Sequence, residues 1–158
     1  MGLAYAKEVN TLLRKNLTRA IQENGTVGAI GFCQTEATKL TDSISLMKNT
    51  IIERVSDRPR NPNNLAKEEE LKHIASFKND LASGKAINPI VHNENGVVSF
   101  YYPIVYNALC MHCHGKPNEQ ILPETLPVLK KLYPEDMAIG YDVNEVRGMW
   151  SIEFDSDN

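Results

Sequence analysis

Apolar residues recur at helical spacing over the first forty positions, and the chain then changes period twice. Leu3, Ala6, Val9, Leu13, Leu17 and Ala20 form one stripe, which predicts an amphipathic helix that stops at Asn24-Gly25. Thr26 is placed to cap a second helix whose apolar face reads Val27, Ile30, Cys33, Ala37 and Leu40, so Cys33 is expected to point inward. "KNTIIERV" has the β-branched content of a strand, and "SDRPRNPNN" after it predicts a polar loop punctuated by prolines. A further helix is predicted over Lys67–Ser83, with Leu71, Ile74, Phe77 or Lys78, and Leu81 along one side and Gly84 as its terminator.

From Ile87 to Asn107 the period becomes two. "INPIVHNENGVVSFYYPIVYN" predicts a β-hairpin turning at Asn95-Gly96. "LPETLPVLKKLY" predicts a short helix interrupted or started by prolines, and "GMWSIEF" a last strand that alternates Trp150, Ile152 and Phe154 against Met149, Ser151 and Glu153. This order predicts an α+β fold, a mainly antiparallel sheet with helices to one side. With 158 residues and 42% hydrophobic content, one domain over 1–158 is expected, helical over 3–41 and mixed over about 42–155.

A net charge of −3 offers no basic excess for tracking a phosphate backbone, which excludes nucleic acid as a partner class. No apolar run approaches the roughly 20 residues that cross a bilayer, so no membrane span is expected. The N-terminus lacks a signal peptide's compact apolar region. Met1 and Gly2 are expected to stand where an export signal has been removed.

The chemistry concentrates in "NALCMHCHGKP". Cys110, Cys113 and His114 form a Cys-x-x-Cys-His motif, the pattern that attaches a c-type haem. Two intervening residues let both sulfurs reach the porphyrin's vinyl groups, and the adjacent histidine is held within reach of the iron. Gly115 is expected to let the chain turn away. A structural zinc site of Cys110, Cys113, a local histidine and Cys33 is a second reading, ranked behind haem because zinc more often uses two paired ligand clusters. A thiol–disulfide exchange motif ranks lower still, because such motifs open a helix after a strand, whereas here Gly and Pro follow.

Haem of this kind is attached outside the bacterial cytoplasm, where a free thiol risks oxidation or mispairing. If Cys110 and Cys113 are thioethers, Cys33 is left over, either an inert core residue or the second axial ligand of the iron. Met137, Met149, His73 and His92 are the other candidates. His112, lying between the two anchors, is disfavoured.

Together, "GAIGFCQTEA", "RPRNPNN", "YYPIV", "CMHCHG" and "AIGYDVNEVRGMWSI" are more specific than the haem motif alone. In these segments the chain resembles the PAS-like c-type haem domains of bacteria, a family first catalogued as a domain of unknown function. The resemblance implies a PAS-like sheet flanked by helices. It also implies iron held by a histidine and a cysteine thiolate, carried over here as His114 and Cys33.

The "RPRNPNN" loop suggests a partner for the haem propionates, because an arginine fork binds carboxylates through paired, charge-assisted hydrogen bonds. Arg60 is the candidate, with Arg58 and Arg54 behind it. The expected protein is a periplasmic or otherwise exported cytochrome with one covalently attached haem c, acting as a redox or small-ligand sensor, with a redox or signalling protein as partner. A low-potential electron carrier is the alternative, and a zinc-stabilised interaction module is third. No catalytic residue is expected, and the chain is not read as an enzyme.

Overall fold

Gly25 breaks the N-terminal helix where the sequence predicts a stop. In the computed structural model, which describes residues 1–156, helix α1 runs over Gly2–Thr35 but is kinked at Gly25, with φ 67° and ψ −179°. Only glycine adopts that conformation readily. Asp157 and Asn158, the end of the expected single domain, lie outside the described residues.

A second break at Glu36 (φ −108°, ψ −27°) separates α1 from α2, Ala37–Lys48. Helix therefore extends past 41, and α2 ends at Asn49 in the left-handed conformation. Strand β1, Ile51–Val55, begins only after that cap, so the first residues of "KNTIIERV" belong to the helix end. Ile30 and Ala37 are buried as expected, whereas Val27 is exposed and Ala29 takes an inward position.

Helix α3, Glu68–Ala82, follows the proline loop. Three glutamates in its first turn suit the positive end of the helix dipole, and the Glu70 carboxylate accepts a 2.8 Å hydrogen bond from the Lys67 amide. The hairpin forms as β2, Ile90–Glu94, and β3, Val97–Val105, joined at Asn95 and Gly96, both at positive φ. Two short helices, α4 (Met111–His114) and α5 (Leu126–Leu132), precede the last strand, β4, Val146–Asp155. The antiparallel sheet has the order β1-β4-β3-β2.

Helices cover both faces of this sheet, not one. Ile52, Phe100, Trp150 and Ile152 meet Ala6 and Val9 of α1 and Ile44 of α2. On the opposite face Val55 and Met149 pack with Ile74 and Phe77 of α3. As a central strand β4 is buried on both sides: Met149 is fully buried and Ser151 nearly so. The alternation in "GMWSIEF" thus separates two cores rather than core from solvent. Each fully buried large side chain in these clusters contributes about 1.5–3 kcal/mol relative to exposure.

Candidate functional site

The turn that carries the Cys-x-x-Cys-His motif is built by local capping. Asn107 precedes a 3-10 turn, Ala108–Cys110, and its side-chain oxygen accepts 3.3 Å hydrogen bonds from the Cys110 amide and thiol. Helix α4 continues this turn for one revolution and ends at Gly115. Gly115 has an ordinary φ of −73°, so the requirement there is space rather than backbone freedom. A Cβ at this position would lie 2.8 Å from the Gln120 side chain and from the Met111 carbonyl oxygen.

His114 is fixed by the segment that follows α5. Its Nδ1 lies 2.7 Å from the carbonyl oxygen of Ala138, which can only accept, so Nδ1–H donates and the Nε2 lone pair is left available. Burial, with Arg60 and Arg147 nearby, holds the imidazole pKa well below its usual value, so the ring is neutral. The backbone closes around it: Tyr141 N–H donates to the His114 carbonyl at 3.0 Å and Gly140 N–H to that of Gly115 at 2.8 Å. The Tyr106 ring packs 5.0 Å from the imidazole.

The proline loop clasps this same segment. Arg58 donates to the carbonyls of Met137 (3.2 Å) and Ile139 (2.6 Å) and stacks 4.5 Å from the Tyr141 ring. Arg60 ion-pairs with Asp136 at 3.0 Å and donates to the carbonyls of Cys113 and Ala138. Asp136 in turn accepts from the Ala138 amide at 2.8 Å. Arg60, the expected propionate partner, thus lines the cavity beside Cys113 and His114 while its guanidinium is engaged by protein groups, and it holds the carbonyl that orients His114.

A cavity of about 260 Å³ lies between α1, the sheet and α4. Cys33, Cys110, Cys113 and His114 all line it, and Lys7 and Arg14 of α1 stand exposed at its rim. The competing ligand candidates lie elsewhere. Met149 is buried against α3 on the other face of the sheet, and Met137 is 50% exposed. His73 and His92 stack on each other and beside Tyr101, and neither lines this cavity. His112 is exposed.

Burial pushes the Cys113 thiol up to about 11 and raises that of Cys33 against the pull of Arg54, Arg147 and Arg60. A thiol raised in this way is a poor exchange nucleophile. Among the described residues no three His, Cys, Asp or Glu side chains converge to hold a metal ion, so the four-ligand zinc set is not assembled. Two thiols on one turn, a neutral imidazole with a free Nε2 and a third sulfur on the same cavity wall fit a haem, which asks the protein for two iron ligands and two anchors.

Two contributors escaped the sequence reading. Asp136 is the partner of Arg60, and Arg147 lines the cavity beside Arg54. An arginine next to a glycine inside the apolar run "VRGMW" is the signal that marks the second.

A model of the Tll0287-like family matches residues 3–154 of the chain. Among solved structures the chain is similar to the cyanobacterial heme-protein Tll0287, at 17% identity and a TM-score of 0.74, over 97% of this chain and 91% of that one. At that identity the likeness shows the fold. No curated protein sequence matches.

Proposed function

This chain belongs to the Tll0287-like family, and from that premise we propose that it is a c-type haem protein serving as a redox or small-ligand sensor outside the cytoplasm. The observation that carries this reading is the convergence of Cys33, Cys110, Cys113 and His114 on one cavity, with Met137, Met149, His73 and His92 absent from its lining. Cys110 and Cys113 are the thioether anchors. His114 would hold the iron through Nε2, and Cys33 through its sulfur. The haem would supply a one-electron iron couple; the chain binds it, orients the imidazole through Ala138 and limits solvent access with α1.

Support for a sensor over a simple carrier lies in the backbone around Cys33. The segment bearing it is bounded by the kink at Gly25 and the break at Glu36, and α2 beyond that break packs on β1. A sulfur that leaves its position would therefore act on a short segment with a backbone break at each end. A low-potential electron carrier is the second reading, to which the same His114 and Cys33 pair would belong. No catalytic conversion forms part of either. Among the described residues no helix is long and apolar enough to cross a membrane.

Protein matured in a cytochrome c assembly host is expected to give a c-type pyridine haemochrome spectrum and to keep its haem through acid-acetone extraction. The Cys110→Ala, Cys113→Ala double variant is expected to release it. Extractable haem in the wild type, or zinc as the sole bound metal, would overturn the reading.

A further inference from the structure

The cavity wall carries more positive charge than the protein neutralises. Arg54 stands on β1 directly opposite Trp150, on the face of the sheet that borders the cavity. Arg147 arrives by another route. The pairing of β3 with β4 runs Ile104 to Gly148 and then Val105 to Val146, which leaves Arg147 as the extra residue of a β-bulge. A bulge re-aims a side chain that regular pleating would send elsewhere, and Arg147 lines the cavity.

Neither guanidinium has a carboxylate partner or donates a hydrogen bond to protein among the described residues, and Arg147 Nε is buried without a partner. Burial and the charge of Arg147 bring the Arg54 pKa down to about 10. Two like charges half-buried on one cavity wall are costly unless an anion joins them. Arg60, by contrast, is matched by Asp136.

We propose that Arg54 and Arg147 form a dicarboxylate-binding subsite that takes the two propionate groups of the haem. The inference rests on the haem reading above. Among the cations that line the cavity these two are neither ion-paired, as Arg60 is, nor exposed at the rim, as Lys7 and Arg14 are, and each guanidinium offers a planar fork to a carboxylate. Arg60 is then a positioning residue for the His114 turn, and the propionate role expected of it passes to this pair.

The test uses iron-free porphyrins, so that neither Cys33 nor His114 contributes ligation. The full chain without haem is titrated by fluorescence with protoporphyrin IX and with its dimethyl ester, which lacks both carboxylates. Wild type is expected to hold the diacid about tenfold or more tighter than the ester. Arg54→Gln and Arg147→Gln should each reduce that ratio severalfold, the double variant should bring it close to unity, and Lys15→Gln on exposed α1 surface should leave it alone. An unchanged ratio in both arginine variants, with porphyrin still bound, overturns the subsite alone. If wild type binds neither porphyrin and carries no covalent haem after maturation, the haem reading falls and the subsite with it. Where a variant does not fold without haem, the loaded protein decides. Each change should then lower the midpoint potential, by roughly 59 mV for a tenfold shift between ferric and ferrous forms, with the axial EPR signature unaltered. An altered axial signature at unchanged potential would assign the arginines to Cys33 and overturn the proposal.

Discussion

Replacing Arg60 by alanine should damage the fold more than any other single change in the proline loop. Its guanidinium lies 3.0 Å from the Asp136 carboxylate, and both side chains are only 9% exposed. At that separation, and at an effective dielectric of about 20, the attraction is about 5.5 kcal/mol, offset in part by the cost of taking both charges out of water. Truncation does not recover that desolvation for the partner. It leaves the Asp136 carboxylate uncompensated and removes the donor to the Cys113 and Ala138 carbonyls. Removing one member of a buried pair costs about 3–5 kcal/mol, a large share of the roughly 5–15 kcal/mol that stabilises a domain. For a chain of this size that corresponds to a fall in Tm of roughly 6–20 °C. Urea unfolding followed by circular dichroism measures it directly. Arg60→Met with Asp136→Leu should recover much of the loss, because no charge is then stranded. An Arg60→Ala cost below about 1 kcal/mol, or a double variant worse than the single, would refute the buried-pair reasoning.

Three further outcomes follow from the site and its surroundings. Cys33→Ala in the haem-loaded protein should change the ferric low-spin EPR signal and raise the midpoint potential, by roughly 180 mV if the thiolate favours ferric iron a thousandfold; unchanged spectra, with the signal lost instead in Met137→Ala or Met149→Ala, would give the role to methionine. Gly115→Ala should destabilise by about 1–3 kcal/mol through its clash with Gln120 and the Met111 carbonyl, and a variant as stable as wild type in urea would show that the turn relaxes freely. His73 has its pKa lowered by burial and by His92, and its Nε2 is buried without a partner. The unfolded chain therefore binds that proton more readily, so stability should be full above a pH of about 6.5, decline as pH falls below it and level off beneath the folded-state pKa. His73→Phe should flatten that acid limb, and parallel limbs in variant and wild type would exclude His73 as its source.

Local features were legible in the sequence, and long-range pairings were not. Helical spacing with Asn24-Gly25 located the first helix and its kink, Asn95-Gly96 located the hairpin turn, and the Cys-x-x-Cys-His run located one wall of the cavity. Each is a contact between near neighbours. The family resemblance implied flanking helices, but the hydrophobic pattern alone put them on one side, because nothing near Met149 and Ser151 shows that α3 covers their face. Arg60 and Asp136 lie far apart in the chain, and nothing in either neighbourhood announces the other. Arg147 enters the cavity through a shift of register between two strands, a property of their pairing and not of either strand alone. Cys33 stood inward on its helix by periodicity, but that it shares a wall with His114 depends on how α1 docks.

Cys33 and His114 face one cavity from segments about eighty residues apart. If a single iron joins them, the prosthetic group becomes a cross-link that ties the N-terminal helices to the end of the sheet. In the chain-entropy treatment of cross-links, closing a loop of that length removes roughly 4.5 kcal/mol of freedom from the unfolded chain. The two ends of this tie are unequal. Thioethers at Cys110 and Cys113 would be permanent, whereas a bond at Cys33 would be a coordination bond, open to reduction or to a competing ligand. The protein would thus carry a clasp fastened for good on one side and releasable on the other, so that the oxidation state of one atom would also set how firmly its first fifty residues are held.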